Sequence, residues 1–82
     1  MKLLLIEDDR PTADIVAQTL ATYHGSIKCA TDGETGLQLA QAEEYDLILL
    51  DIDLPKLDGI TLCKRLRSEG YENPILLSLI HI

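Results

Sequence analysis

Tryptophan and phenylalanine are absent from the 82 residues, tyrosine occurs three times and methionine once. A core must therefore be built from Leu, Ile, Val and Ala, a composition that suits strands packed against helices. Positive charge is scarce. Seven Lys and Arg face fourteen Asp and Glu, for a net charge of −7. An acidic surface repels phosphates, which excludes direct nucleic-acid binding by this segment and disfavours adsorption to anionic membranes. The two cysteines, Cys29 and Cys63, form no C-x-x-C pattern and read as reduced core thiols. No apolar run approaches the roughly 20 residues of a membrane span. Met1 to Ile6 is too short for a signal peptide and runs straight into Glu7-Asp8-Asp9. These absences together lead us to expect a cytoplasmic protein. Internal repeats, low-complexity tracts and linkers are absent too.

What remains is a single small domain, 46% hydrophobic, of a size that buries only about 60% of its unfolded surface. Lys2 to Ile6 is a short apolar run ending in acids, the pattern of a strand buried on both faces. Pro11 suits the first turn of a helix, whose inner face is expected to carry Ile15, Val16, Thr19, Leu20 and Tyr23, with Gly25 as its stop. Ser26 to Ala30 reads as a weaker strand, and Asp32-Gly33 as a turn. Glu34 to Glu44 reads as a helix with Leu37 and Ala40 inward. Leu47-Ile48-Leu49-Leu50 is expected to be the most clearly buried strand. A loop from Asp51 to Asp58 precedes a helix over Gly59 to Glu69, with Leu62, Cys63 and Leu66 inward, and Ile75-Leu76-Leu77 opens a last apolar run. The order β-α-β-α-β-α-β implies a parallel sheet with right-handed crossovers and helices on both faces. In such sheets ligands gather at the carboxyl ends of the strands.

That is where the acids fall. Glu7 and Asp8 follow the first strand and Asp51 follows the third. If those strands are neighbours, three carboxylates meet at one edge, where they repel and raise one another's pKa values. A hard divalent cation relieves that repulsion, and an oxygen-only set with few protein donors suits Mg²⁺. A carboxylate can also attack phosphorus to form an acyl phosphate. Asp51 is the best candidate, fixed by a central strand and followed by an open loop. A blander reading makes Glu7, Asp8 and Asp9 caps of the next helix, and Asp9 is assigned that role. Asp32-Gly33 and Asp58-Gly59 are most simply turns. An acid pair after one buried strand, a lone acid after the next but one and a Pro-containing loop ending in Asp-Gly are hard to obtain by capping alone.

The segments Leu3-Leu4-Leu5-Ile6-Glu7-Asp8-Asp9 and Asp46-Leu47-Ile48-Leu49-Leu50-Asp51-Ile52-Asp53-Leu54-Pro55-Lys56-Leu57-Asp58-Gly59, with Ala30-Thr31-Asp32-Gly33 between them, resemble the receiver domain of bacterial two-component response regulators. The resemblance implies a flavodoxin-like, doubly wound fold with strand order 2-1-3-4, the fifth strand missing. It also implies phosphorelay signalling. Asp51 would be the phosphoacceptor, charged by a sensor histidine kinase or a histidine phosphotransfer domain. Mg²⁺ would be held by Asp8, Asp51 and the backbone carbonyl of Asp53, beside Glu7 in the acidic pocket. Pro55, Asp58 and Gly59 would shape the loop. Such a domain catalyses only its own phosphoryl transfer and dephosphorylation, so the chain is not expected to be an enzyme in the ordinary sense.

The resemblance runs from Met1 to about Leu76, and residues 1–76 are taken as part of a receiver domain. The family's switch Thr/Ser falls at Leu79, and its Lys after the fifth strand has no counterpart here. Leu77-Ser78-Leu79-Ile80-His81-Ile82 is also a translation of CTGTCTCTTATACACATC, which resembles a transposon end used in sequencing libraries. Residues 77–82 are therefore expected to be a non-native tail, His81 to have no function, and an output domain to lie beyond. The apolar edge from Ile75 onward invites self-association. Two rival readings are a phosphatase of the haloacid-dehalogenase type and a pseudo-receiver that is never phosphorylated. The first is suggested by Asp51-Ile52-Asp53, but Pro55 departs from its motif and Glu7-Asp8 has no role in it. The second gives no reason for a complete set of metal-binding acids.

Overall fold

A computed structural model describes residues 1–78 of the chain. Seven elements alternate along it: β1 (Lys2–Ile6), α1 (Arg10–His24), β2 (Ser26–Ala30), α2 (Gly33–Ala42), β3 (Leu47–Asp51), α3 (Gly59–Ser68) and β4 (Ile75–Ser78). The four strands form one sheet in the order β2-β1-β3-β4. Every pair is parallel, with Ile6 opposite both Ala30 and Leu50, and Asp51 opposite Ser78. The strand and helix pattern of the sequence is thus realised, with the doubly wound, flavodoxin-like order that the resemblance implied.

Alternation along the strands divides the sheet's two faces. Leu4, Ile6, Ile48 and Leu50 point to the side covered by α2 and α3, where they join Ala40, Tyr45, Leu62 and Leu66 in the main core. Leu3 and Leu5 point to the other side, which α1 covers with Ala13 and Val16. β1 is therefore apolar throughout because both faces are covered. β3 is less buried than its sequence suggests. Leu47 and Leu49, on the α1 side, are only half-buried. A groove of about 220 Å³ opens there among Leu5, Val16, Leu49 and Leu76 and reaches Glu7 and Asp51 at its upper end.

The local signals behind the helices are physical ones. Asp9, Asp32 and Asp58 cap α1, α2 and α3, each accepting the N–H of the residue three positions on, Thr12, Thr35 and Thr61. Pro11 sits in the first turn of α1, where its missing N–H costs nothing. Gly25 ends α1 and Gly70 follows α3, both with positive φ.

Two expectations need correction, and one core residue went unread. Cys29 is exposed rather than a core residue, because β2 is an edge strand among the described residues, and Cys63 is half-buried at the rim of the core. On α1, Ile15 is 63% exposed and Thr19 is exposed as well. The contact face of this helix is Thr12, Ala13, Val16 and Leu20, while the side chain of Tyr23 lies outside the described residues. Finally, Tyr45, which drew no attention in the sequence, is the largest fully buried side chain.

Candidate functional site

β1 and β3 are neighbours, so the residues ending them arrive side by side at the carboxyl edge of the sheet. Glu7 follows β1 directly and is anchored by its own N–H, which donates to the Ala30 carbonyl of β2 at 3.0 Å. Asp51 is the last residue of β3, inside the strand rather than after it. Carboxylate oxygens of Glu7, Asp8 and Asp51 lie within 4.8 Å of one another. The convergence expected from the strand ends is therefore present.

The three acids differ in exposure. Glu7 is 4% exposed and Asp51 8%, while Asp8 faces solvent. Burial pushes the Glu7 carboxyl up to about 7. The Asp9 N–H, donated to Glu7 Oε2 at 3.2 Å, works the other way, and the neighbouring carboxylates of Asp51 and Asp8 add to the rise. Among the described residues, no Lys or Arg forms an ion pair with any of these acids. Buried carboxylates clustered without a cation fit a hard divalent ion that takes oxygen ligands.

Asp9 does not join the cluster. It caps α1 through the Thr12 N–H at 3.0 Å and the Thr12 hydroxyl, which holds its carboxyl below the usual carboxylate range. Asp53 is exposed, and its N–H donates to Asp51 Oδ1 at 3.1 Å, so the loop folds back on the carboxylate. Further on, the Leu57 N–H donates to the Pro55 carbonyl at 2.8 Å. Asp58 caps α3 through Thr61 at 2.9 Å. The Gly59 N–H donates to the Ile52 carbonyl at 2.9 Å, and a Cβ at Gly59 would stand 2.3 Å from the carbonyl oxygen of Asp51. Only glycine lets α3 start this close to the end of β3. The position expected for a switch Thr/Ser, Leu79, lies outside the described residues, as do Ile80, His81 and Ile82.

The response regulator receiver domain family matches residues 3–81. The chain belongs to that family. RcaC of Microchaete diplosiphon is 51% identical over 77 residues, which cover 94% of this chain and 12% of RcaC. The transcriptional regulatory protein DltR of Streptococcus agalactiae is 42% identical over 76 residues, 93% of this chain and 34% of DltR. Among solved structures, the BeF₃-activated N-terminal receiver domain of Klebsiella pneumoniae RstA superposes with a TM-score of 0.87 at 34% identity, over 94% of this receiver chain and 65% of that one. The chain thus spans about a third or less of these two curated relatives. Receiver domains in general bind Mg²⁺ and take phosphoryl groups from histidine kinases, and they are not classical enzymes. No described helix of this receiver is long and apolar enough to cross a membrane.

Sequence reasoning missed two parts of the site's surroundings. Lys56, at the apex of the loop, has φ of 69°, the left-handed region that non-glycine residues rarely enter. Gly33, read as an ordinary turn residue, touches that apex. The Asp32-Gly33 dipeptide was visible, but its contact with a loop more than twenty residues away was not.

Proposed function

We propose that this receiver accepts a phosphoryl group on Asp51 from the phosphohistidine of a sensor histidine kinase or a histidine phosphotransfer domain. The observation that carries this reading is the meeting of Glu7, Asp8 and Asp51 at the carboxyl edge of a parallel sheet. Asp8, Asp51 and the Asp53 backbone carbonyl would hold Mg²⁺, with Glu7 completing the acidic pocket. A magnesium ion held by these residues would supply charge neutralisation for the phosphoryl oxygens.

The chain's own residues supply position. Asp51 is fixed by the β3 ladder and by the Asp53 N–H on Oδ1. A carboxylate oxygen of Asp51 attacks phosphorus as the P–N bond breaks, and the departing imidazole nitrogen keeps the electron pair and takes a proton. Burial beside Asp51 and Asp8 raises the Glu7 pKa in the metal-free site, and a divalent cation bound there would oppose that rise. The chain works in the cytoplasm as part of a longer response regulator, with transcriptional output as the name of DltR suggests for that relative. We place the native receiver sequence over residues 1–76 and treat residues 77–82 as a foreign tail. Sequencing the locus beyond the codon for Leu76 tests this.

The metal reading is tested on the receiver continued beyond Leu76 with a receiver segment, with acetyl phosphate as donor. Phosphorylation should require Mg²⁺ and should be lost in Asp8→Ala, with the fold intact by circular dichroism. Equal Mg²⁺ affinity in wild type and Asp8→Ala would count against the site.

A further inference from the structure

The segment between Asp51 and α3 carries Asp53, and its shape is held at both ends. Asp51 Oδ1 takes the Asp53 N–H at the start, and Gly59 bonds the Ile52 carbonyl at the finish. The apex, Pro55 to Leu57, is a tight reversal closed by the Leu57 N–H on the Pro55 carbonyl, with Lys56 in the left-handed region. A non-glycine residue there costs on the order of 1 kcal/mol or more and persists only where its surroundings enforce it.

The surroundings that meet the apex belong to the turn between β2 and α2. The Gly33 N–H donates to the same Pro55 carbonyl at 3.3 Å. Asp32, fixed by capping α2 through Thr35, places Oδ2 3.9 Å from Lys56 Nζ. A Cβ at Gly33 would lie 1.9 Å from the carbonyl oxygen of Leu57 and 2.7 Å from Leu57 Cβ. The φ of Gly33 is not positive, unlike those of Gly25 and Gly70. Glycine is therefore required here for close approach and not for backbone conformation. The obstructing atom is a carbonyl oxygen, which cannot swing aside as a side-chain tip can. Ordinary contact begins at 3.4 Å, so the turn and the apex would have to part by about 1.5 Å.

We propose that Gly33 is a positioning residue for the metal and phosphoryl site, holding the apex of the 52–58 segment from the β2–α2 turn so that Asp53 keeps its place beside Asp51. This rests on the assignment of Asp8, Asp51 and the Asp53 carbonyl to Mg²⁺. Binding constellations tolerate displacements of only about 0.5 Å, and losing a supporting contact around a metal site typically lowers affinity about 10- to 100-fold. Gly33 acts at a distance, by fixing the backbone that bears a ligand.

The test compares Mg²⁺ affinity, by titration of the amide spectrum, with amide exchange in the metal-free protein. Gly33→Ala should weaken Mg²⁺ binding about tenfold or more and speed exchange at Asp53, Leu57 and Gly59, with β1 and β3 still protected. Gly70→Ala is the comparator. It strains a backbone at φ of 92° with no atom near its Cβ, so it should lower stability and leave Mg²⁺ affinity unchanged. Leu57→Gly removes the apex Cβ that faces Gly33 and keeps the test readable if Gly33→Ala does not fold. It should shift both readouts in the same direction, by less. Wild-type affinity and unchanged 52–59 exchange in Gly33→Ala, or in Leu57→Gly if only that variant folds, would overturn the inference. Failure of the wild type itself to bind Mg²⁺ would strike the metal assignment instead. The exchange arm would then decide Gly33's hold on the loop by itself.

Discussion

Replacing Glu7 by Gln isolates the cost of burying an acid in an acidic pocket. The folded-state pKa is about 7 against 4.5 for the ordinary group, a difference of about 2.5. At ~1.4 kcal/mol per pKa unit this corresponds to roughly 3 to 4 kcal/mol as an upper bound. The sign follows from proton binding. Below about pH 4.5 both states hold the proton and Glu7 costs nothing through ionisation. Between about pH 4.5 and 7 the unfolded chain loses the proton first, so stability falls as pH rises, and above about pH 7 the full penalty is present. Glutamine keeps the size and an oxygen for the Asp9 N–H but cannot ionise. Urea denaturation in metal-free buffer should therefore show Glu7→Gln near wild type at about pH 4 and more stable by 1 to ~3 kcal/mol at about pH 8. Asp9, Asp32 and Asp58, whose carboxyls are held low, titrate alike in both proteins and cancel in the difference. Mg²⁺ should stabilise the wild type more at the higher pH. Parallel pH profiles for the two proteins would refute the reasoning, because burial would then not penalise the charged form.

Further outcomes follow from single contacts. The buried hydroxyl of Tyr45 has no hydrogen-bond partner among the described residues, so Tyr45→Phe should raise the melting temperature, by an amount worth about 1 kcal/mol. A loss of stability would mean that the hydroxyl is satisfied in solution. Asp58→Ala removes the cap of α3 and should cost about 1 kcal/mol in chemical denaturation. Ile15 and Leu76 are 63% and 56% exposed. Ile15→Lys should lower self-association, read by sedimentation, with stability changed by less than about 0.5 kcal/mol.

The sheet was legible because each strand carries its own signal. Leu3 to Ile6 is apolar without alternation, as a strand covered on both faces must be, and Asp9 marks the start of α1, whereas Asp32 and Asp58, read as turn residues, proved to cap α2 and α3. The acid cluster was legible for a related reason: strand order alone brings the end of β1 beside the end of β3, and Glu7, Asp8 and Asp51 occupy those ends. What failed depends on neighbours that local pattern does not name. The helical period of α1 allowed a stripe through Ile15 and Thr19, but the face that meets the sheet is set by Ala13 and Val16. Cys29 looked buried until β2 proved to be an edge among the described strands. Gly33 carried a visible turn signal, yet its need for glycine comes from Leu57, which is remote in sequence.

The most direct measurement maps the acyl phosphate itself. The receiver would be studied both as the 82-residue chain and continued after Leu76 with the corresponding segment of a solved receiver. Each is treated with acetyl phosphate and Mg²⁺, then reduced with borohydride, which converts an aspartyl phosphate to homoserine. The account predicts homoserine at position 51 in the continued protein, none in Asp51→Asn, retention in Asp53→Asn, and slow or absent labelling of the 82-residue chain. Homoserine at another acid, or label persisting in Asp51→Asn, would contradict it.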